Sequence, residues 1–367
     1  MSDVWIQVDY SKIAMGLPFG NQTELRHQCI MSTMRYASIF TGAMGLDIGL
    51  EHNGFETVLA VEHDKHAQAT IKVNRPNIQI ISDAFDPTLI DTIKKAKVDA
   101  IVGGPPCQSW SYAGKRQGLE DHRGLCIPRF LDIVEAIRPG IVVMENVMGL
   151  VSAQIDGRKG AVIQMIEDRL LDMDYCYSIE TVNSADYGTP QCRKRVIVMA
   201  ILGPYMPSSM KLENHPTHSK NSPWGLPKWK TLKNAIGDRP SGEGMSYPES
   251  KLKFFRMLKE GQDWRDLPDE LKQQAMKGAI NSSGGRTGFF RRLSWDKPSP
   301  TLTCSPVGKA NAFCHPDEDR PLNVVEYARI QGFPNNWEFK GPLSSRYKQI
   351  GNAIPVQLGE AIGRALL

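Results

Sequence analysis

The stretch YASIFTGAMGLDIGLEHNGFETVLAVE, residues 36–62, decides the fold. Tyr36 to Phe40 is an apolar run of strand length, and it opens into a glycine turn spanning Gly42 to Gly45. Leu46 to His52 then has helical spacing and is closed by Asn53-Gly54, and Thr57 to Val61 reads as a second strand. Strand, glycine turn, helix and strand make one βαβ unit. The same alternation continues outward. Helices are expected at Ala67–Val73, Thr88–Ala96, Leu125–Ile137 and Ala161–Leu171. Strands are expected at Asn77–Ile81, Val98–Val102, Ile141–Met144, Tyr175–Val182 and Val196–Leu202. This predicts an α/β fold with a doubly wound, mostly parallel, Rossmann-like sheet. Ligands of such sheets bind past the carboxyl ends of the strands, where the strand order reverses. The loops after the first and fourth strands, 42–45 and 103–111, should therefore face one crevice.

Beyond Gly203 the alternation stops. Residues 204–300 are rich in Pro, Gly, Ser, Lys and Trp, with short helices expected at Leu252–Lys259 and Asp269–Lys277, and they read as a separate small domain. Regular structure returns with helices at Leu322–Ile330 and Val356–Leu366. Residues 1–34 show no periodicity and are assigned no role. The 367 residues carry a net charge of +4, unevenly spread. Residues 201–300 hold 17 Lys and Arg against 10 Asp and Glu, a surplus of seven, which leaves the remainder at −3. A basic segment of this kind suits a polyanion met on one side. No apolar run has the length of a bilayer span and the N-terminus lacks a signal-peptide core, so a cytoplasmic protein without membrane partners is expected. The seven cysteines form no Cys-x-x-Cys pair, which argues against a disulfide framework or a structural metal.

Four segments carry candidate chemistry. In Gly103-Gly104-Pro105-Pro106-Cys107-Gln108-Ser109, two glycines turn the backbone and two prolines stiffen the approach to a thiol, the setting of a nucleophile. Glu62, twenty residues after Gly42, ends the second strand where an acid reaches ribose hydroxyls, and Asp83 follows the third strand, where it can accept from an adenine amino group. Met44 and Asp47 make the first helix start a poor pyrophosphate cradle, which favours S-adenosylmethionine over NAD. Glu145 ends the fifth strand beside the cysteine loop and can act as a general acid. Arg193 and Arg195 alternate with Lys194 at a strand start, so both point to one face as forks for phosphate or a base oxygen.

In order and content these segments resemble the DNA (cytosine-5) methyltransferase family of the bacterial restriction-modification type. The resemblance covers roughly residues 36–202 and 292–366 through FTGAMG, Glu62, Asp83, GGPPCQSWS, DHRGL (121–125), ENV (145–147), QCRKR (191–195), PSPTLT (298–303), ARIQGFP (328–334) and QIGNAIP (349–355). Met44 replaces a glycine usual in the family. The resemblance implies a class I S-adenosylmethionine-dependent methyltransferase fold and methylation of a flipped-out cytosine in double-stranded DNA. Cys107 would attack C6, Glu145 would bind N3 and the exocyclic amine, and Arg195, supported by Arg193, would hold O2. Phe40, Gly42, Gly45, Leu46, Glu62, His63, Asp83, Ala84, Pro105, Leu125, Asn352 and Ala353 would surround the cofactor, released as S-adenosylhomocysteine.

By the same resemblance residues 35–203 are the catalytic and cofactor domain, and 204–300 are the target-recognition domain. The last helix of 301–367 would return to complete the first domain. Gln108 and Ser109 lie in a loop that closes over DNA, and Arg286, Arg291 and Arg292 are candidates for base or phosphate contacts. Trp224, Trp229 and Trp264 read as core of the small domain. A monomer without metal is implied, either with a cognate restriction endonuclease as a functional counterpart or acting as a solitary genome methylase. Rival readings are an amino-group DNA methyltransferase, which would need an aromatic residue where Cys107 stands, an RNA cytosine methyltransferase, and a non-enzymatic DNA-binding protein.

Overall fold

The alternating segments fold into a seven-stranded sheet built from β1 (Arg35–Ile39), β2 (Glu56–Val61), β3 (Gln79–Ile81), β4 (Ala100–Gly103), β5 (Ile141–Val147), β6 (Tyr175–Asn183) and β7 (Lys194–Leu202). Their order is β3-β2-β1-β4-β5-β7-β6. All pairings from β3 to β5 are parallel, and β7 runs antiparallel to both β5 and β6. The strand order reverses between β1 and β4, as the doubly wound reading requires. The structure is a computed structural model describing residues 33–106, 122–155, 157–222, 225–277, 280, 288–308 and 312–367.

Two strands are longer than the apolar pattern suggests. β5 continues three residues past Met144 and β7 begins two residues before Val196, because the two pair across Glu145↔Ile197 and Val147↔Arg195. Antiparallel pairing thus carries polar site residues inside the ladder, where hydrophobicity gives no signal.

Side chains alternate across the sheet with a period of two. Ala37, Ile39, Leu59 and Val61 face α3 (Leu89–Ala96), α4 (Cys126–Ile137) and α5 (Ala161–Asp172), all in one apolar cluster. Tyr36, Ala100, Val102, Ile141 and Val143 face the other way, under α1 (Gly45–Glu51). The chain reaches α2 (Lys65–Asn74) through Asp64, which caps it by accepting from the His66 and Ala67 amides.

The short helices α6 (Leu232–Ile236), α7 (Glu249–Phe255) and α8 (Asp269–Met276) lie in the segment after Gly203. Tyr247, Phe254, Phe255, Leu258, Leu267 and Phe290 pack with Ala312 and Cys314 in a cluster of their own. Leu232 and Ile236 of α6 instead join Leu322, Val324 and Tyr327. The C-terminal segment forms α9 (Val324–Ile330), α10 (Leu343–Asn352) and α11 (Val356–Leu366). The polar sequence of α10, with Gly351 near its end, hides it from the apolar periodicity. α11 closes against α1 at very short range: a Cβ on Gly49 would lie 2.4 Å from the Val356 carbonyl oxygen. Only glycine permits that approach.

Candidate active site

The register of the sheet assembles the site. Ile81, Val61, Ile39, Gly103 and Met144 are successive partners across β3, β2, β1, β4 and β5. The residues one step beyond this row, among them Glu62, Phe40, Gly104 and Glu145, therefore emerge side by side at the carboxyl edge.

On the β1 and β2 side, each Glu62 carboxylate oxygen takes one amide, from Gly42 at 2.7 Å and from Asp64 at 2.7 Å. Each keeps acceptor capacity for a further donor, so a pair of hydroxyls can be received there. Burial raises the Glu62 pKa against the pull of those two amides. Phe40 adopts φ 59°, a left-handed conformation that turns the chain sharply out of β1. A Cβ on Gly42 would meet nothing within 4 Å, so space lies open beside the turn. The α1 N-terminus has no side-chain cap. Asp83 spends one oxygen on the Phe85 amide at 3.0 Å. Ala84 is buried, and its carbonyl accepts from Arg129 Nε at 2.7 Å. His63 and Leu125 are exposed, Pro105 is buried, and the Leu46 side chain belongs to the core, which leaves only its backbone to a ligand. An acceptor pair, an open glycine turn and an aromatic ring fit an adenosine-containing cofactor.

Met44 is completely buried at φ 68° and packs into the core with Ala43 and Ile48. Asp47 is buried beside Tyr36 and Ser38 of β1, and neither carboxylate oxygen has a well-formed hydrogen bond. Burial raises its pKa to about 7, partly offset by the Ser38 hydroxyl.

On the β4, β5 and β7 side, Arg195 Nε lies 2.7 Å from Glu145 Oε1, with both side chains only 10% exposed. The approach is an ion pair without good hydrogen-bond alignment, and neither atom has another partner among the described residues. Polar capacity is thus held at the mouth of the crevice. The cysteine loop passes directly by: a Cβ on Gly104 would sit 3.3 Å from Glu145 Oε2. Asn146 Nδ2 donates to the Pro105 carbonyl at 3.0 Å and fixes that loop's start. Cys107, Gln108 and Ser109 lie outside the described residues.

Arg193 shares its face with Arg195 but is 2% exposed and differently engaged. Its Nη1 donates to the Leu302 carbonyl at 3.0 Å, and its Nη2 to the carbonyls of Gly351 at 2.9 Å and Asn352 at 3.5 Å. Burial and then the Arg195 charge lower its pKa, to about 9. Arg193 therefore ties the start of β7 to the end of α10. From there the chain returns toward the β1 turn, and Gly45 is needed because a Cβ would lie 2.1 Å from the Ile354 carbonyl oxygen. Asn352 is exposed in this turn, where its Oδ1 accepts from the Cys304 thiol at 2.8 Å, and Ala353 is buried. Lys348 of α10 also reaches Asp64, two residues past Glu62, at 2.8 Å.

The expected DNA-facing residues divide. Arg286 and Trp224 lie outside the described residues. Arg291 is partly buried, 3.9 Å from Asp263. Arg292 is a correction: its side chain is 6% exposed. It donates to the carbonyls of Leu258 (2.7 Å), Phe255 (2.7 Å), His315 (3.1 Å) and Glu318 (3.2 Å), and it pairs with Asp319. Its donors hold the small apolar cluster together and are spent. Trp229 Nε1 donates to Asp186 at 2.8 Å, and Trp264 packs against the small cluster. The Trp229 bond lies beside a parallel Ser219–Lys228 bridge, and Lys220, Lys228 and Lys230 near it are exposed. Composition marks this segment as basic without distinguishing those lysines from the buried arginines.

Gln191 and Gln331 are not singled out by sequence reasoning, although they stand inside QCRKR and ARIQGFP. Both are completely buried, and Gln191 Nε2 donates to Gln331 Oε1 at 2.8 Å. Among the described residues no cluster of three His, Cys, Asp or Glu is arranged to hold a metal ion, and no helix is long and apolar enough to cross a membrane.

Comparison with known proteins agrees with this geometry. Type II methyltransferase M.PspPI of Psychrobacter sp. (strain TA137) is 41% identical over 337 residues, covering 90% of this chain and 78% of that protein. Type II methyltransferase M.Eco47II of Escherichia coli is 38% identical over 340 residues, with the same coverages. In fold, the chain resembles the Entamoeba histolytica methyltransferase EhMeth, with a TM-score of 0.65, 16% identity, and coverage of 91% of this chain and 98% of that one. A DNMT2 variant from Spodoptera frugiperda gives a TM-score of 0.63 at 16% identity, covering 91% of this chain and 99% of its own. The description C-5 cytosine-specific DNA methylase matches residues 34–367, the whole of the sheet, the crevice and the returning helices. With an acid and an arginine paired beside the Pro-Pro-Cys loop and an acidic pocket three strands away, the chain belongs to the C-5 cytosine-specific DNA methylase family.

Proposed function

We propose that this enzyme transfers a methyl group from S-adenosyl-L-methionine to C5 of a cytosine flipped out of duplex DNA at a specific sequence, as the modifying partner of a type II restriction endonuclease. The observation that carries the reading is the Glu145–Arg195 pair, 2.7 Å apart at the crevice mouth beside the loop that leads to Cys107. The relatives named Type II methyltransferases support the restriction-modification setting. Residues 204–300, with their positive surplus, act as the module that meets DNA, while 35–203 and 301–367 carry the chemistry.

C5 of cytosine is a weak nucleophile, and the protein's task is to make it a stronger one. The Cys107 thiolate forms a bond to C6 while Glu145 delivers a proton to N3, so ring electrons collect at C5 as an enamine. Arg195 steadies O2 as charge shifts through the ring. S-adenosylmethionine, when bound, supplies an electrophilic methyl group on its sulfonium. After transfer, a base removes the C5 proton, the C6–sulfur bond breaks, the thiolate leaves and the N3 proton returns to Glu145. None of this can occur in a stacked base pair, so the cytosine must be extruded. Glu62 receives the ribose hydroxyls and the turn at Asn352–Ile354 closes the methionine end.

Bisulfite sequencing of DNA from a host expressing the protein tests the reading. Methylated cytosines within one short sequence are expected, and loss of that signal in Cys107→Ser. An unmethylated genome accompanied by methylated tRNA would replace it with RNA methylation.

A further inference from the structure

A buried bridge joins the cofactor turn to the catalytic strand. Gln331, at the end of α9, is completely buried and fully engaged. Its Nε2 donates to the carbonyls of Ile350 at 2.6 Å and Ala353 at 3.0 Å, and its Oε1 accepts from Gln191 at 2.8 Å. Its main-chain carbonyl accepts the Val356 amide at 3.0 Å. Gln191 completes the link by accepting the Leu302 amide on Oε1 at 3.0 Å. Arg193 forms a parallel strap to Gly351 and Asn352. Between them these two side chains take the carbonyls of residues 350 to 353 at the end of α10; the Ile350 carbonyl also accepts the Ala353 amide at 3.2 Å.

The two ends of this bridge touch different halves of the site. On one side the held turn presses the Ile354 carbonyl against Gly45. On the other, Gln191 and Arg193 lie just ahead of Arg195 on the run that enters β7. A buried polar network with every amide group satisfied admits few arrangements, so displacement at one end must be felt at the other.

We propose that Gln331, through Gln191, is a positioning residue that makes occupation of the cofactor turn and alignment of Arg195 on Glu145 one cooperative event. The inference rests on the methyltransferase reading above. Coupling of this kind is reciprocal: a cofactor that orders the turn tightens DNA, and DNA tightens the cofactor by the same factor.

The test is equilibrium binding of a labelled duplex carrying the methylated sequence, with and without S-adenosylhomocysteine, together with calorimetry of S-adenosylhomocysteine alone. In the unsubstituted protein S-adenosylhomocysteine should tighten DNA by roughly tenfold. Gln191→Met cuts the bridge but leaves Gln331 holding Ile350 and Ala353. It should keep S-adenosylhomocysteine affinity within about twofold and drop the coupling below about threefold. Gln331→Met removes both ends, and should weaken S-adenosylhomocysteine by about tenfold as well as abolishing coupling. Absence of coupling in the unsubstituted protein, or full coupling in either folded variant, overturns the proposal. Failure of the methyltransferase reading itself would appear separately, as DNA left unmethylated by the unsubstituted protein.

Discussion

Arg195 and Arg292 are both buried arginines, one at the mouth of the crevice and one inside the small cluster after Gly203. Arg195 faces the Glu145 carboxylate and makes a hydrogen bond to the Lys194 carbonyl at 2.7 Å. Arg292 donates to several main-chain carbonyls and to Asp319. The strand region gets its shape from apolar alternation and the ladder, so its arginine is not needed to hold the backbone together. The loop-rich region has little ladder, and an arginine must stand in for one. Unspent donors, rather than charge, separate a site arginine from a scaffold arginine.

The largest effect that would break this contrast is catalytic. Glu145→Gln should lower methyl transfer by roughly 10²–10⁴-fold in protein that is still folded. A rate within tenfold would remove Glu145 from the chemistry. Arg292→Ala should behave in the opposite way, costing urea stability of about 1–3 kcal/mol for each buried carbonyl, Phe255 and Leu258 among them, left without its donor. DNA affinity of the protein that remains folded should hold, and a selective loss of binding at full stability would restore Arg292 to the interface.

A third test concerns pH. The folded-state pKa of Asp47, about 7 against an ordinary value of 3.8, means that the native state holds this proton more tightly than the unfolded chain. Its contribution is complete below about pH 4 and is lost as pH rises through about 7. Urea midpoints of Asp47→Asn and the unsubstituted protein should therefore diverge as pH rises from about 4 to 7 and stay apart above that, with the asparagine form favoured at the higher pH by up to about 4 kcal/mol. Identical profiles would show that Asp47 is solvated. The smallest effect is expected at the three exposed lysines after Gly203. Replacing Lys220, Lys228 and Lys230 with glutamine should flatten the slope of log affinity for DNA against log salt by roughly 0.9 for each phosphate no longer neutralised. An unchanged slope places DNA elsewhere.

The sheet was legible because its information is local and periodic. Tyr36 to Val61 announces strand, turn, helix and strand through apolar spacing, and each later unit repeats the signal. The acids at positions 62, 83 and 145 could be picked out because strand ends are where such folds bind ligands. What escaped depended on partners distant in sequence. The ends of β5 and β7 are polar and exist as strands only because they pair with each other. α10 is too polar to show an apolar stripe. Gln331 is an ordinary glutamine until Gln191, 140 residues away, is brought against it. Arg292 reads as a DNA-binding residue because a sequence records its charge and not the carbonyls that consume it.

The straight row formed by Ile81, Val61, Ile39, Gly103 and Met144 acts as a ruler. Glu62 and Glu145 stand three strand gaps apart, a backbone separation of roughly 14 Å at about 4.8 Å per gap. That length is set by hydrogen-bond pitch, so no side-chain substitution can retune it, and a one-residue slip would turn every side chain of a strand to the wrong face. The span between the two acids is therefore a constant of the sheet. Segments inserted outside the strands, such as 204–300, can vary in length and sequence without altering that span.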